Sequence, residues 1–150
     1  MLFRSRMKMS NLKLFLKGNK KQRESVKYAP TTSLLDDEGK PVEFEWKGIS
    51  AKEDEALRED CTIDVQVTGK PNMFRPKFNT NKYLTKLAVA SCVEPDLYNA
   101  ELQDSYGVKT PEDLLMEMVD NSGEYQELLG FIQKINGFEL KKDLVEEAKN

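Results

Sequence analysis

The sequence predicts an α+β fold, a small N-terminal antiparallel sheet followed by a mostly helical C-terminal half around a buried central helix. Three observations predict it. Strict apolar/polar alternation, the period of a half-buried strand, is confined to the first half: Val42, Phe44 and Trp46 against Glu43, Glu45 and Lys47, then Ile63, Val65 and Val67 against Asp64, Gln66 and Thr68. Beyond Pro95 the apolar residues recur at intervals of three and four, the period of a helix. Between these regions, Asn79 to Val93 starts two-faced, with Lys82, Thr85 and Lys86 opposite Tyr83, Leu84 and Leu87. Its polar side is then lost, because Val89 and Val93 fall in line with Lys82 and Lys86; the last turns are expected to be wrapped by other elements.

The opening helix runs from an N-cap at Ser10 to a stop at Gly18, with Leu12, Phe15 and Leu16 along one side. After a basic linker, Val26 and Tyr28 alternate up to Pro30, as in an edge strand or an extended arm. Asp36 to Pro41 is a turn; its three consecutive acids match no Ca²⁺ loop. The Trp46 strand follows, and then Ser50 and Glu53 form a capping box that opens a charged helix to about Asp60. The Ile63 strand comes next, Gly69-Lys70-Pro71-Asn72 turns the chain, and Met73 to Phe78 returns as a short edge strand broken by Pro76. These strands are expected to make one small sheet, with the central helix on one face.

In the second half, Asn99 to Tyr106 is a short helix ended by Gly107. Thr110 and Pro111 supply the N-cap and first position of the next, whose stripe is Leu114, Leu115, Met118 and Val119. Ser122 is expected to cap a longer helix with Tyr125, Leu128, Leu129, Ile132 and Ile135 on one face, stopped by Asn136 and Gly137. Leu140, Leu144, Val145 and Ala148 give a final amphipathic turn or two.

The 150 residues, 39% of them apolar, suffice for one domain with a core, read as a basic extension with a short helix over 1–23 and an α+β domain over 24–150. With no histidine, Ser-His-Asp and Cys-His catalysis and imidazole zinc sites are excluded. The eight glycines form no phosphate-cradling motif, so no cofactor, no metal and no enzymatic activity are expected. Cys61 and Cys92 lack a Cys-rich framework and read as free thiols of a reducing compartment. No apolar run approaches a membrane span, which predicts a cytoplasmic protein. Met1 to Lys27 holds nine Lys and Arg against one acid, whereas Glu94 to Asn150 holds five against fourteen. A basic arm on an acidic body fits nucleic acid in principle. Aromatics are too sparse around it for a stacking platform, and a solvated tail is the better reading.

Asn79-Thr-Asn-Lys-Tyr-Leu, Val89-Ala-Ser-Cys-Val-Glu-Pro-Asp-Leu and Asn99-Ala-Glu-Leu-Gln-Asp-Ser-Tyr-Gly-Val carry a likeness that continues through Gly123-Glu-Tyr, Leu128-Leu and Ile135-Asn-Gly-Phe to Leu144-Val-Glu-Glu-Ala-Lys-Asn. Across these residues, and over about Met9 to Asn150, the chain resembles the XkdN-like tail assembly chaperones of long-tailed bacteriophages and prophages. The resemblance implies a non-catalytic factor in the cytoplasm of a bacterial host. Such a factor binds the tape measure protein and keeps it soluble until tail tube protein polymerises around it. Separately, the exposed apolar flank of the chain makes a homo-oligomer an expectation. A chaperone for an amphipathic helix needs apolar cover rather than convergent catalytic groups. Leu12, Phe15 and Leu16, with Phe131 at the flank of its helical stripe, are the candidate partner contacts. The rival readings are a structural tail or connector component of the virion and a nucleic-acid-binding regulator that uses the basic arm.

Overall fold

A computed structural model of the protein describes residues 11–138. The expected N-cap at Ser10 and the amphipathic turns over 140–148 lie outside the described residues. Residues 11–15 are helical (α1); the helix ends at Phe15 rather than at the expected stop Gly18, because the backbone turns extended at Leu16, and Gly18 lies within a 3-10 turn, Lys17–Asn19. The chain then makes β1, Val26–Tyr28, which pairs antiparallel with β2, Phe44–Trp46.

Alternation along β2 works as read. Phe44 and Trp46 are buried and Glu45 between them is not. Trp46 has no exposed surface, and its indole Nε1 donates to the carbonyl of Tyr28 at 3.1 Å, so the one polar atom of a buried ring is satisfied by the neighbouring strand. Ser50 opens α2, Ala51–Asp60, with the expected capping box: its Oγ accepts from the backbone N–H of Glu53 at 3.1 Å and donates to the Glu53 carboxylate at 3.0 Å.

Two sheets form where one was expected. β3, Thr62–Val67, and β4, Lys70–Phe78, pair only with each other, whereas β1 and β2 take their third strand from β5, Cys92–Glu94, in the order β1-β2-β5. The β3–β4 turn is tighter than Gly69 to Asn72: Gly69 sits at φ +78°, and β4 starts at Lys70. Pro71 and Pro76 stay within β4 because β4 has no partner on its outer side, where a missing N–H costs no ladder bond.

The central helix is α3, Thr80–Ser91, capped by the Asn79 side chain on the N–H of Lys82. It ends two residues short of Val93. The backbone turns extended at Cys92, and β5 fills the free edge of β2. Tyr83, Leu87, Ala88, Val89 and Ser91 are buried along it, and α2, α5 and α6 pack against it.

The remaining helices are α4, Ala100–Ser105, α5, Pro111–Met118, and α6, Ser122–Ile135. Thr110 caps α5 with proline at its first position, as its sequence implies. α6 is capped one residue earlier than expected, by the Asn121 side chain on the N–H of Glu124. Leu114, Leu115, Leu128 and Ile132 meet Leu87 and Trp46 in the core, all six without exposed surface. Each such side chain contributes roughly 2 kcal/mol of apolar transfer free energy, which makes this contact the principal source of cohesion between sheet and helices.

Candidate functional site

Polar groups inside the described structure are consumed by architecture. Asn136, just past α6, accepts from the backbone N–H of Ile49 at 2.8 Å and donates to Ser91 Oγ at 3.1 Å and to the carbonyl of Ile132 at 2.8 Å. The carbonyl of Ser91 in turn accepts from the N–H of Lys47 at 2.8 Å. One amide side chain thus ties the C-terminal ends of α3 and α6 to the segment leaving β2. Gly48 passes so close that a Cβ there would lie 2.8 Å from the carbonyl oxygen of Ile135. These are residues of the Val89-Ala-Ser and Ile135-Asn-Gly patterns, and their work is structural.

A second cluster joins α2 to α3. Arg58 Nε donates to Asp54 at 2.9 Å, the Tyr83 hydroxyl donates to the same carboxylate, and the Arg58 guanidinium lies 4.7 Å from the centre of the Tyr83 ring. Burial, followed by the Asp54 hydrogen bond, pushes the Tyr83 phenol up to about 12, so it remains a neutral donor. A third joins the loop after β1 to α6: the Glu124 carboxylate accepts from Thr31 Oγ1 at 2.8 Å and from the N–H of Thr32 at 2.8 Å. Those bonds, that of Thr31 first, hold its carboxyl below the usual range.

Cys61 and Cys92 are free, and burial pushes the Cys92 thiol up to about 12, far from a nucleophile's range. Among the described residues no buried side-chain nitrogen or oxygen lacks a partner, and no group of three or more acids or cysteines could hold a metal ion. No helix of the described residues is long and apolar enough to cross a membrane.

What the surface offers instead is apolar. On the opening segment Leu12, Leu14, Phe15 and Leu16 are all more than half exposed, Phe15 at 81%. The β3–β4 hairpin exposes every residue of β4, including Met73 and Phe74. Between the strand ends and α4 runs a groove of about 330 Å³ lined by Leu34, Val42, Phe44, Pro95, Leu102, Tyr106 and Met118, with Glu43 and Glu94 its charged groups. None of these surfaces converges donors and acceptors on a point, as a reaction centre must. All suit an apolar stripe on a partner.

The four candidate contacts separate. Leu12, Phe15 and Leu16 are free on the surface. Phe131 stacks on Tyr28 with ring centres 4.1 Å apart and presents its edge to Trp46 at 6.3 Å, so it is half-buried beside the core and far less available. Sequence reasoning missed Leu14, which breaks the one-sided stripe, and also the hairpin and the groove. The hairpin's exposure was readable in principle from the two prolines in β4, which mark a strand with an open edge.

The family model described as phage XkdN-like tail assembly chaperone protein matches residues 12–149. The phage-like element PBSX protein XkdN of Bacillus subtilis (strain 168) is 26% identical over 141 residues, covering 93% of this chain and 94% of that protein. The uncharacterized protein YqbN of the same strain is 27% identical over 144 residues, covering 95% of each. The crystal structure of YqbN superposes with a TM-score of 0.69 at 23% identity, covering 84% of this chain and 95% of the other, and shows that the fold is shared.

Proposed function

Because the chain belongs to the phage XkdN-like tail assembly chaperone family, we propose that it binds the tape measure protein and keeps it soluble until tail tube protein polymerises around it. It acts in the host cytoplasm and catalyses no reaction. The observation that carries this reading is the family match over residues 12–149. The surface supports it. An elongated amphipathic client is kept in solution by covering its apolar stripe, and the opening segment offers Leu12 and Phe15 on α1 and Leu16 just past its end, where the backbone is extended, with Lys13 and Lys17 between and beyond them. Exposed apolar side chains on so short an element have no packing reason to be there, and a transient partner supplies one. These three residues are the client contact in this reading. The groove with Glu43 and Glu94 provides a second seat where a client side chain flanked by lysine or arginine fits.

A chaperone leaves when assembly is complete, and a tail subunit stays. The test is a tagged chain expressed during phage production. Tape measure protein is expected to co-purify with it from lysate before tails form, and the chain is expected to be absent from purified particles. Recovery of the chain in finished particles at fixed stoichiometry would identify it as a structural component instead.

A further inference from the structure

Strand pairing sorts the β3–β4 hairpin into two unlike faces. Ile63 lies opposite Lys77, Val65 opposite Arg75 and, past a register shift, Val67 opposite Lys70. Directly paired residues project to the same side of a sheet. One face therefore sets a row of three β-branched side chains beside a row of three cations, and Asp64, the acid of the hairpin, is on the other. That other face is held to α2 and α3 at its root, where the Phe78 ring lies 5.3 Å from the ring of Tyr83 and 5.9 Å from the Arg58 guanidinium. On the Ile63 face, Ile63 itself is 58% exposed, Val65 and Val67 are half-buried, and Lys70, Arg75 and Lys77 are exposed. None of the three cations forms a salt bridge among the described residues. An open hollow of about 340 Å³ lies between Ile63, Val65 and Lys77 and the start of α3.

Charge and shape select the occupant of this face. Two strands alone are marginal in water, and a helix laid on one side stabilises them. Neighbouring strands lie about 4.8 Å apart, so a helix whose apolar stripe rests on Ile63, Val65 and Val67 brings one flank of that stripe over the cations. Arg75 and Lys77 stand about 7 Å apart along β4, close to the rise of about 6 Å between positions i and i+4 of a helix. A flank that meets them there is acidic. The row from Ile63 to Val67 spans about 13 Å, which is about two and a half helical turns. Nucleic acid fits less well, because the face holds no aromatic ring for a base to stack on and the apolar row would stay uncovered.

We propose that the Ile63–Val67 face of the hairpin docks an amphipathic helix of a partner protein, with the helix's apolar stripe on the β-branched row and its acidic residues at i and i+4 on Arg75 and Lys77. The dock is built on a different element from the opening segment, and it stands whether or not the helix belongs to the client proposed above.

A peptide titration of the full chain tests this. Two labelled synthetic peptides share one apolar stripe and are held helical by a side-chain cross-link; one carries glutamate along the flanks and the other lysine, and binding is read from fluorescence anisotropy. The glutamate peptide is expected to bind about tenfold tighter, the effect of two solvent-screened ion pairs. Arg75→Glu with Lys77→Glu is expected to reverse the preference, and Arg75→Gln with Lys77→Gln, gentler at the same exposed positions, to abolish it. Ile63→Asp is expected to weaken the glutamate peptide by about tenfold or more, whereas Leu12→Asp with Phe15→Asp leaves its preference intact. Equal affinity for the two peptides overturns the proposal, as does a preference that survives charge reversal or an affinity untouched by Ile63→Asp. A preference lost with Leu12 and Phe15 overturns it in favour of the opening segment. Self-association of the chain that Arg75→Glu with Lys77→Glu abolishes overturns it too, because the face would then hold a second copy.

Discussion

Asn136 shows how little of this molecule's polar chemistry is available for anything but holding it together. Its amide oxygen and nitrogen serve the Ile49 N–H, Ser91 Oγ and the carbonyl of Ile132, closing three segments on one another beside the core. Removing it leaves a donor and an acceptor unsatisfied in a part-buried site, so Asn136→Ala is expected to cost about 1 to 3 kcal/mol. Urea unfolding followed by Trp46 fluorescence measures this, and an unchanged midpoint would show that water replaces the amide without loss. None of this was legible in the sequence, where Asn136 reads as a helix stop. Its partners Ile49 and Ser91 lie 87 and 45 positions away, and no local pattern links polar residues at such separations. Phe131 is a related case. Periodicity placed it on the flank of its stripe, but only the fold reveals that Tyr28, more than 100 positions earlier, comes to lie on its ring.

Elements whose signals are local were read well, and those that depend on distant partners were not. The capping box at Ser50, the Thr110-Pro111 start and the Phe44/Trp46 alternation each have a cause within a few residues, and each appears as expected. The end of α3 does not. Cys92 and Val93 continue a helical pattern, but β2 offers a free edge, and backbone pairing there outweighs one more helical turn. The expectation that the last turns of this helix have no solvated face is also corrected, since Ala90 is exposed while Leu87, Ala88 and Val89 are buried. This contrast gives a sharp test. Leu87→Asp buries an unpaired carboxylate among core side chains and is expected to cost more than about 4 kcal/mol, enough to abolish cooperative thermal unfolding in a domain of ordinary stability. Ala90→Asp, three residues on, should shift the transition only slightly. Equal effects from the two would mean that α3 does not sit in the core as described.

For the whole molecule, a helical half packs on a small sheet, and its polar interior is closed while apolar groups remain on the opening segment, the hairpin and the groove. The α+β class and the buried central helix were legible because they follow from hydrophobic period. The split into two sheets was not, since alternation says that a strand is half-buried without saying which strand lies beside it. The function was legible only through family pattern, because no convergent chemistry marks an apolar surface as a binding site. Protein interiors and partner surfaces draw on the same residue types, and the fold alone separates Leu12 and Phe15, left outside, from Leu87 and Phe44, taken inside.

The proposed role of this chain is to keep the tape measure protein in solution. It is tested most directly by expressing the two genes together, without other phage proteins, and measuring the fraction of tape measure protein in the supernatant after centrifugation. The client is expected to move from pellet to supernatant with the unsubstituted chain, and to return to the pellet when Leu12 and Phe15 are both replaced by aspartate in a chain that still unfolds normally. A client that stays in the pellet beside the unsubstituted, soluble chain would contradict it.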